Sequence, residues 1–378
     1  MSDYFGSDTF KLGFGLMRLP RLEDGSTDIE QIKQMVDRFL EAGGTYFDTA
    51  YVYGNDGDSE TAVKEALIKR HPRDHYTIAT KLNALLQAHD EDSAKAQFYT
   101  SLERTGAGYF DYYLLHALQA QSIHLYEDYR LWDFVKEQKE KGLIRHLGFS
   151  FHATPELLDQ VLTAHPDVDF VQLQINYADW NNPNVQSRRC YEVARKHNKS
   201  IVVMEPVKGG GLANPNPSVQ KILKDAAPDL SFASWAIRYV ASMDGILTVL
   251  SGMSNLSQME DNLSYMEHFQ PLSEAEQAVI QKAQAALADG NEIACTSCHY
   301  CTKGCPMNIA IPEIFASLNE YRRYHNRIHF PRNYAIATSN GGSASDCIQC
   351  GQCEGACPQH LSIIRYLKDV TAELDTLR

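Results

Sequence analysis

The sequence lacks three features that would each point to a particular class of protein. No run approaches the roughly 20 consecutive apolar residues that a membrane-spanning helix needs. Basic residues number 35 and acidic residues 48, so the formal net charge is −13 and neither nucleic acid nor an anionic membrane is expected as a partner. The first residues, MSDYFGSDTFKLGFG, lack the basic and apolar segments of a secretory signal. We therefore predict a cytoplasmic protein.

Cysteine is nearly missing from the first 294 residues, where Cys190 stands alone in a helical stretch and is expected to be a small packed side chain. It is abundant in the last 84 residues, in two runs that each read C-x2-C-x2-C-x3-C-P. This spacing is typical of the cysteines that ligate iron–sulfur clusters in bacterial ferredoxins. The first run is Cys295, Cys298, Cys301 and Cys305, and the second is Cys347, Cys350, Cys353 and Cys357.

Two other cysteine chemistries compete with clusters. Four disulfides would suit a small secreted domain, but the sequence shows no sign of secretion. Zinc is the stronger rival, because paired CxxC motifs also build sites with four cysteine ligands. Zinc ribbons usually keep two CxxC pairs well apart, whereas here three cysteines follow one another at two-residue spacing, twice over. The spacing therefore favours two [4Fe–4S] clusters.

The residues before the cysteine runs alternate short apolar segments with amphipathic, helix-like ones. The first helix-like segment has Asp28 as N-cap and Gly43 as a stop. Eight strand–helix repeats over about 250 residues predict a (β/α)8 TIM barrel rather than a doubly wound sheet. We assign residues 1–290 to this α/β barrel and residues 291–378 to a small α-helical, ferredoxin-like iron–sulfur domain. The predicted strands are 11–17, 45–50, 76–82, 111–117, 144–150, 170–176, 200–206 and 245–251.

Four polar residues stand at or just past the ends of predicted strands 2 to 4, where such barrels place their active sites: Asp48, Tyr53, Lys81 and His116. Taken singly, each has an ordinary structural interpretation. Together they suit proton delivery to a carbonyl oxygen while a hydride arrives on carbon. The ordinary pKa of tyrosine, near 10, makes it a slow acid, and the ammonium of Lys81 would lower that pKa. Asp48 would orient Lys81, and His116 would hydrogen-bond the carbonyl oxygen.

Over roughly residues 10–270 the chain resembles the aldo-keto reductase superfamily. The resemblance rests on motifs that occur in order: LGFGLMRLP, GGTYFDTAYVYG, ATKL, LLHAL, GLIRHLGFS and GMSNLSQMEDNL. It implies that Tyr53 is the general acid of a tetrad with Asp48, Lys81 and His116. It also implies that a nicotinamide dinucleotide binds across the barrel mouth without a GxGxxG fingerprint.

The same resemblance assigns cofactor contacts. It places the nicotinamide carboxamide against residues late in strands 5 and 6, and the nicotinamide itself beside the backbone that follows strand 1. The adenosine end is assigned to the loop after strand 8. The carboxamide contacts are Ser150 and Gln172. The contacts of the nicotinamide are Met17 and Arg18, and those of the adenosine end are Gly252 and Asn262.

Two positions depart from the family pattern. Met204 stands where many relatives stack a tyrosine on the nicotinamide ring, and Gln258 stands where NADP-specific relatives place an arginine for the 2′-phosphate. Because an uncharged group cannot replace a charge-assisted phosphate contact, both NADP and NAD stay open. A flavin also stays open, without any recognisable site. The glycines at 209–211 fit either a pyrophosphate contact or a mobile loop.

The cysteine runs resemble those of two-cluster ferredoxins, in which the fourth cysteine of each run ligates the other cluster. The resemblance therefore implies that Cys357 completes the first cluster and Cys305 the second. Taken whole, the chain resembles an aldo-keto reductase branch with a C-terminal ferredoxin-like domain. Two clusters favour electron transfer, although metal ligation can also serve as a structural staple.

Two functions remain open. The first is NAD(P)H-dependent reduction of a small aldehyde or ketone, or the reverse oxidation of an alcohol, with clusters that link the site to a ferredoxin or another redox partner. A hydride carries two electrons and a cluster one, so this link normally needs a flavin or another one-electron step. The second is a redox-sensing or electron-carrying protein that keeps the barrel as a cofactor-bound scaffold. The sequence predicts neither the substrate nor the oligomeric state.

Overall fold

The computed structural model describes residues 10–54, 57–288, 292–324 and 327–377. Contacts between residues divide the chain into two compact units. The barrel unit comprises Met1–Val207 and Asp229–Gln277, and the tail unit comprises Lys208–Pro228 and Ala278–Arg378. The predicted boundary between residues 290 and 291 lies outside the described residues and stays a prediction.

Eight parallel strands close into a barrel in sequence order, which confirms the predicted (β/α)8 fold. All eight predicted strands are present, most of them shorter at their ends. The strand predicted over 11–17, for example, stops at Gly15, because Leu16–Arg18 form a turn of 3-10 helix. The strands are β1 Leu12–Gly15, β2 Tyr46–Asp48, β3 Thr77–Leu82, β4 Phe110–Leu118, β5 Ile144–Phe151, β6 Phe170–Gln174, β7 Ser200–Met204 and β8 Ile246–Ser251.

Helices follow the strands and also build most of the tail unit. In chain order they are α1 Ile29–Glu41, α2 Asp58–Val63, α3 Glu91–Thr105, α4 Ile123–Asp128, α5 Leu131–Glu140, α6 Pro155–Ala164, α7 Ser187–Lys196, α8 Pro217–Ala226, α9 Phe232–Ala241, α10 Leu256–Met266, α11 Glu274–Ala288, α12 Tyr300–Lys303, α13 Ile311–Tyr324, α14 His329–Ala337, α15 Gln352–Ala356 and α16 Ile363–Asp375. Within the described residues, no helix is long and apolar enough to cross a membrane. The cytoplasmic location stays a prediction.

Local sequence explains where α1 begins and ends. The carboxylate of Asp28 accepts a hydrogen bond from the Gln31 N–H at 3.0 Å, which caps the first turn as predicted. The buried face of the helix carries Ile32 and Met35 at helical spacing. Just past its end, Gly43 adopts φ +86°, a left-handed conformation that glycine reaches without steric cost.

The barrel is a packed core rather than a channel. Side chains from six strands form one buried cluster: Tyr46, Ala79, Tyr112, Leu114, Phe170, Val202, Leu247 and Leu250. A larger apolar cluster contains further buried strand residues together with the buried faces of the surrounding helices. Polar side chains that sit past the ends of the strands are therefore held by a close-packed base.

The tail unit has an apolar core of its own, to which α13 and α16 contribute buried residues such as Phe315, Leu318, Leu367 and Val370. Six of the eight clustered cysteines lie in or against this core, and the exceptions are Cys298 and Cys350. Packing and cysteine placement are thus part of one arrangement.

Candidate functional site

A short turn after β2 positions Tyr53. The backbone N–H of Thr49 donates to the carbonyl of Ala79 at 2.9 Å, and the N–H of Tyr51 donates to the carbonyl of Lys81 at 3.1 Å. These bonds extend the β2–β3 pairing past the end of β2. The chain then turns back, with the Tyr53 N–H bonded to the Ala50 carbonyl at 3.1 Å. The tyrosine ring is brought over the end of β3.

The four predicted catalytic residues come together in a buried group. Lys81 Nζ donates to Asp48 Oδ1 at 2.6 Å, to the Thr49 carbonyl at 2.7 Å and to the Tyr53 hydroxyl at 3.4 Å. The rings of Tyr53 and His116 meet edge to face, with centroids 5.6 Å apart. Lys81 is fully buried and Tyr53 is 7% exposed. The tyrosine hydroxyl therefore lies against a desolvated ammonium.

Burial and charge act in opposite directions on the Lys81–Asp48 pair. Desolvation lowers the pKa of Lys81 and raises the pKa of Asp48, and the attraction between the two partly offsets both effects. Burial, followed by the nearby Lys81 charge, lowers the pKa of His116 well below its usual range, so this imidazole is neutral near pH 7. His116 Nδ1 is buried and has no hydrogen-bond partner within the described part of the chain.

A bulge near the end of β4 sets the position of His116. The β4–β5 register shifts between Leu115 and Leu118, and Ala117 adopts φ +57°. The N–H of Ala117 does not continue the ladder but donates to Ser150 Oγ at 2.7 Å. Bulges of this kind re-aim a neighbouring side chain and are frequent beside active sites. Here the bulge also connects His116 to a predicted cofactor residue on β5.

Sequence reasoning missed one buried acid beside the tetrad. Glu60 in α2 accepts from Thr80 Oγ1 at 2.7 Å and pairs with Arg104 at 3.4 Å. Desolvation raises its pKa, and its charge helps to hold the proton on Lys81. In the sequence, Glu60 is indistinguishable from the acidic residues that are common in first helical turns, so no local signal identifies it.

The two residues predicted to bind the carboxamide are neighbours on adjacent strands. Ser150 of β5 pairs with Gln172 of β6 in the register, and both are buried. Gln172 Nε2 lies 3.5 Å from the sulfur of Met204, while Gln172 Oε1 is buried without a partner among the described residues. A buried acceptor with no donor is costly unless a bound group supplies one. An amide N–H of a ligand would satisfy it.

The loop after β8 lies beside the segment after β1. The side chain of Arg18 passes within about 3.6 Å of the position that a Cβ on Gly252 would occupy. Met17 packs against the small apolar cluster that contains Tyr53. Predicted cofactor residues from the two ends of the barrel sequence are thus brought together where β1 pairs with β8.

Asn262 and Gln258 are both occupied within the protein. Asn262 donates to Ser251 Oγ at 2.6 Å and accepts from the Tyr265 hydroxyl at 2.6 Å, so its amide holds the loop. Gln258 Oε1 accepts from the Ser254 N–H at 2.8 Å, at the start of α10. The position that carries an arginine in NADP-specific relatives therefore serves here as part of a helix cap.

The eight clustered cysteines line two cavities in the tail unit. Each cavity offers about 320 Å³ of space, part of it open to solvent. One contains Cys295, Cys298 and Cys301 of the first run together with Cys357 of the second. The other contains Cys347, Cys350 and Cys353 of the second run together with Cys305 of the first. Each cavity thus brings together the crossed set of cysteines that the two-cluster resemblance implies.

Each donor set consists of four cysteine sulfurs, which is the ligand set of a [4Fe–4S] cluster. Burial raises the pKa of the Cys295 and Cys353 thiols to about 11, so their thiolates need a nearby cationic metal centre. The N–H of Ser297 points to Cys295 Sγ at 3.5 Å.

Gly209, the first of the three glycines at 209–211, lies against the first cysteine run. Gly209 adopts φ +63°, and a Cβ placed on it would lie 2.5 Å from the carbonyl oxygen of Thr296, next to Cys295. Gly210 adopts φ +97° but has nothing within 4 Å of its Cβ position. In the tail unit, Gly209 therefore permits a backbone-to-backbone contact with the first cysteine run.

Comparisons with known proteins agree with both parts of this geometry. Residues 11–285 match the model of the Aldo/keto reductase family, and residues 294–361 match the model of a 4Fe-4S dicluster domain. An aldo-keto reductase from Mycolicibacterium vanbaalenii is 30% identical over 248 residues, which cover 64% of this chain and 80% of that protein.

Solved structures show the same barrel. The holo form of an aldo-keto reductase from Bacillus halodurans superposes with a TM-score of 0.58 at 26% identity, over 72% of this chain and 91% of that one. An aldo/keto reductase from Klebsiella pneumoniae, solved with NADP and acetate, shares the fold with a TM-score of 0.59 at 18% identity, over 72% and 90% of the two chains. The chain therefore belongs to the aldo/keto reductase family of oxidoreductases and carries, after its barrel, a 4Fe-4S dicluster domain.

Proposed function

We propose that this protein reduces an aldehyde or ketone with a nicotinamide cofactor, or oxidises the corresponding alcohol, and that Tyr53 is its general acid. The observation that carries the proposal is the position of Lys81 Nζ, which is bonded both to Asp48 and to the Tyr53 hydroxyl in a buried group. A family fold alone does not establish an activity, whereas this group has the chemistry that the reaction needs.

The residues of this chain have distinct roles in the proposed reaction. The bound cofactor supplies a hydride to the carbonyl carbon. Tyr53 donates its phenolic proton to the carbonyl oxygen, and the ammonium of Lys81 stabilises the phenolate that remains. Asp48 keeps Lys81 charged and oriented. His116, being neutral, donates an N–H hydrogen bond to the same oxygen and adds no positive charge. In alcohol oxidation the proton returns to Tyr53.

The cofactor contacts support a nicotinamide at the ends of β5 and β6. The unpartnered Oε1 of Gln172 would accept a hydrogen bond from the carboxamide N–H, and Ser150 is its neighbour on β5. Two observations disagree on whether the site would bind the 2′-phosphate of NADP. A relative of the same fold was solved with NADP, but Gln258 offers no charge here. We propose that NADH is accepted as well as NADPH. Among the residues that the structure describes, no group supports a flavin.

The two cysteine-lined cavities support a further proposal, that each holds a [4Fe–4S] cluster and that the pair exchanges electrons with a ferredoxin or another one-electron carrier. Cys295, Cys298, Cys301 and Cys357 would hold the first cluster, and Cys347, Cys350, Cys353 and Cys305 the second. We also propose residues 1–290 and 291–378 as the two domains. The alternative, a redox sensor that uses the barrel as a scaffold, needs no proton donor.

The test uses anaerobically reconstituted protein, NADH or NADPH, and a panel of aldehydes and ketones. Tyr53→Phe should lower kcat by about 10²–10⁴-fold, because it removes the proton donor and keeps the ring. Tyr99→Phe is the matched control, since Tyr99 is 51% exposed on α3. Full activity in Tyr53→Phe, or no turnover with any carbonyl in the parent protein, would contradict the proposal.

Iron content and spectroscopy test the clusters separately. We expect about eight irons per chain and, after reduction, a low-temperature EPR signal from [4Fe–4S] centres. Bound zinc without iron would refute the cluster assignment. Clusters that no one-electron donor reduces would leave only a structural role.

A further inference from the structure

The second cysteine-lined cavity opens at an apolar part of the surface. Two of its lining residues are exposed hydrophobic side chains, Ile348 at 60% and Met307 at 38%, and Cys350 is itself exposed. The first cavity differs, because none of its lining residues is an exposed large hydrophobic side chain. The second cavity is therefore the one of the two whose rim exposes large apolar side chains.

Helix α16 adds positive charge at this opening. Its Ile364 and Leu367 line the cavity, while Arg365 and Lys368 are exposed. Being three residues apart, these two basic residues are neighbours on the helix surface. Lys368 Nζ donates to Gln349 Oε1 at 2.9 Å. Because Gln349 lies between Ile348 and Cys350 in the sequence, this bond holds the ammonium next to both residues.

The charges of Arg365 and Lys368 are not neutralised by ion pairs with any residue that the structure describes. Two acids near this opening also carry charge, but each is held by a backbone donor rather than by Arg365 or Lys368. Glu354 Oε1 accepts from the Ile364 N–H at 2.9 Å, and Asp346 Oδ2 accepts from the Ser343 N–H at 2.7 Å.

Net charge is distributed unevenly along the chain. Residues 291–378 contain eight basic and eight acidic residues, so all of the net charge of −13 comes from residues 1–290. An acidic partner is repelled by charge of that sign, whereas the exposed Arg365 and Lys368 beside an apolar centre attract its acidic side chains.

We propose that the second-cluster face, formed by Met307, Ile348, Cys350, Arg365 and Lys368, docks a one-electron carrier protein whose redox centre is surrounded by acidic side chains. This inference rests on the proposed electron link and names the partner's chemistry and its contact surface. In each encounter the carrier is oxidised by one electron and the second cluster is reduced by one, or the reverse. A small apolar patch with a charged rim is typical of such transient contacts.

Binding is measured first, because it needs no turnover. The probe is an oxidised, acidic two-[4Fe–4S] ferredoxin, titrated calorimetrically into the holoprotein at 50 and 300 mM NaCl. We expect affinity to fall with salt, and we expect Arg365→Glu with Lys368→Glu to weaken binding about tenfold or more at 50 mM. Ile348→Ser should weaken it at both salt concentrations, since its contribution is apolar.

Matched controls separate the face from net charge. Lys221→Glu with Lys282→Glu makes the same change in charge on α8 and α11, which contribute no residue to either cavity. This control should bind ferredoxin like the parent. Cytochrome c, a basic carrier, should bind the Arg365→Glu, Lys368→Glu variant better than the parent. Visible absorption and iron content show that each variant keeps both clusters.

Specific outcomes would overturn the proposal. One is an equal loss of ferredoxin affinity in the Arg365→Glu, Lys368→Glu variant and in the Lys221→Glu, Lys282→Glu control. Another is a ferredoxin affinity that does not depend on salt. The third is a dimer, seen by analytical ultracentrifugation, that the Arg365→Glu, Lys368→Glu variant no longer forms. NAD(P)H-dependent carbonyl reduction should stay unchanged in the Arg365→Glu, Lys368→Glu variant. Failure of docking is thereby distinguishable from failure of the Tyr53 mechanism.

Discussion

Removal of Lys81 from the tetrad should strongly destabilise the barrel unit. In Lys81→Met, Asp48 keeps its burial but loses a partner at 2.6 Å, and the Thr49 carbonyl loses a donor at 2.7 Å. At an effective dielectric constant of about 20, the lost Coulomb attraction is on the order of 6 kcal/mol. Because desolvation offsets part of this, we expect a net cost of about 3–5 kcal/mol, the range for breaking one side of a buried pair.

A double-mutant cycle with Asp48→Asn tests the physical reason. If the cost comes from an uncompensated carboxylate, the double variant should be more stable than Lys81→Met alone. The measurement is urea unfolding followed by tryptophan fluorescence. The three tryptophans, Trp132, Trp180 and Trp235, all belong to the barrel unit, so the signal reports that unit, while visible absorption reports the clusters.

An exposed ion pair of similar length is the matched control. Lys69 and Glu65 are 2.5 Å apart, but their side chains are 55% and 45% exposed, so Lys69→Met should cost at most about 1 kcal/mol. If the costs of Lys81→Met and Asp48→Asn add to within about 0.5 kcal/mol, the two residues are not coupled. The electrostatic account of the tetrad would then be refuted.

Three further perturbations test other parts of the molecule. Gly209→Ala should lose iron from the first cluster, because its methyl group meets a backbone oxygen at 2.5 Å, whereas Gly210→Ala, with a similar positive φ and open space, should keep it. Cys357→Ser should disturb the cluster held by the first run, so its EPR spectrum should resemble that of a variant such as Cys298→Ser. Cys305→Ser should disturb the cluster held by the second run, so its spectrum should resemble that of a variant such as Cys350→Ser. Burial lowers the pKa of His116, so below about pH 6.5 only the unfolded chain takes up this proton. As the pH is lowered through this range, the free energy of unfolding should fall by about 1.4 kcal/mol per pH unit. His116→Asn should reduce that slope in urea titrations at pH 5–7, and an unchanged slope would contradict the burial argument.

The features that sequence reasoning predicted well are those encoded locally. Each strand is a short apolar run bounded by turn residues, so all eight were recognised. Asp28 was identified as an N-cap because capping depends on a side chain and a backbone donor three residues apart. Asp48, Tyr53, Lys81 and His116 come together because they lie at or past strand ends, which a barrel brings to one face, while their catalytic role stays a prediction.

Features that depend on distant contacts were not predictable in this way. The helical segment that follows β4 is divided at Arg130, which adopts φ +49° between α4 and α5, although no glycine or proline marks the break. Gln258 stands where NADP-specific relatives place an arginine, but its side chain caps α10. The assignment of Lys208–Pro228 to the tail unit depends on packing against residues far away in sequence, such as Thr296.

The crossed cysteine sets have a mechanical consequence. Each cavity takes three cysteines from one run and the fourth from the other, so a bound cluster joins the segment before residue 306 to the segment after residue 346. Two clusters would then act as a pair of inorganic cross-links between these segments. A protease that cuts the chain between the runs, for example within α14, would leave a nicked but undivided molecule, and the fragments would separate only after the iron is removed.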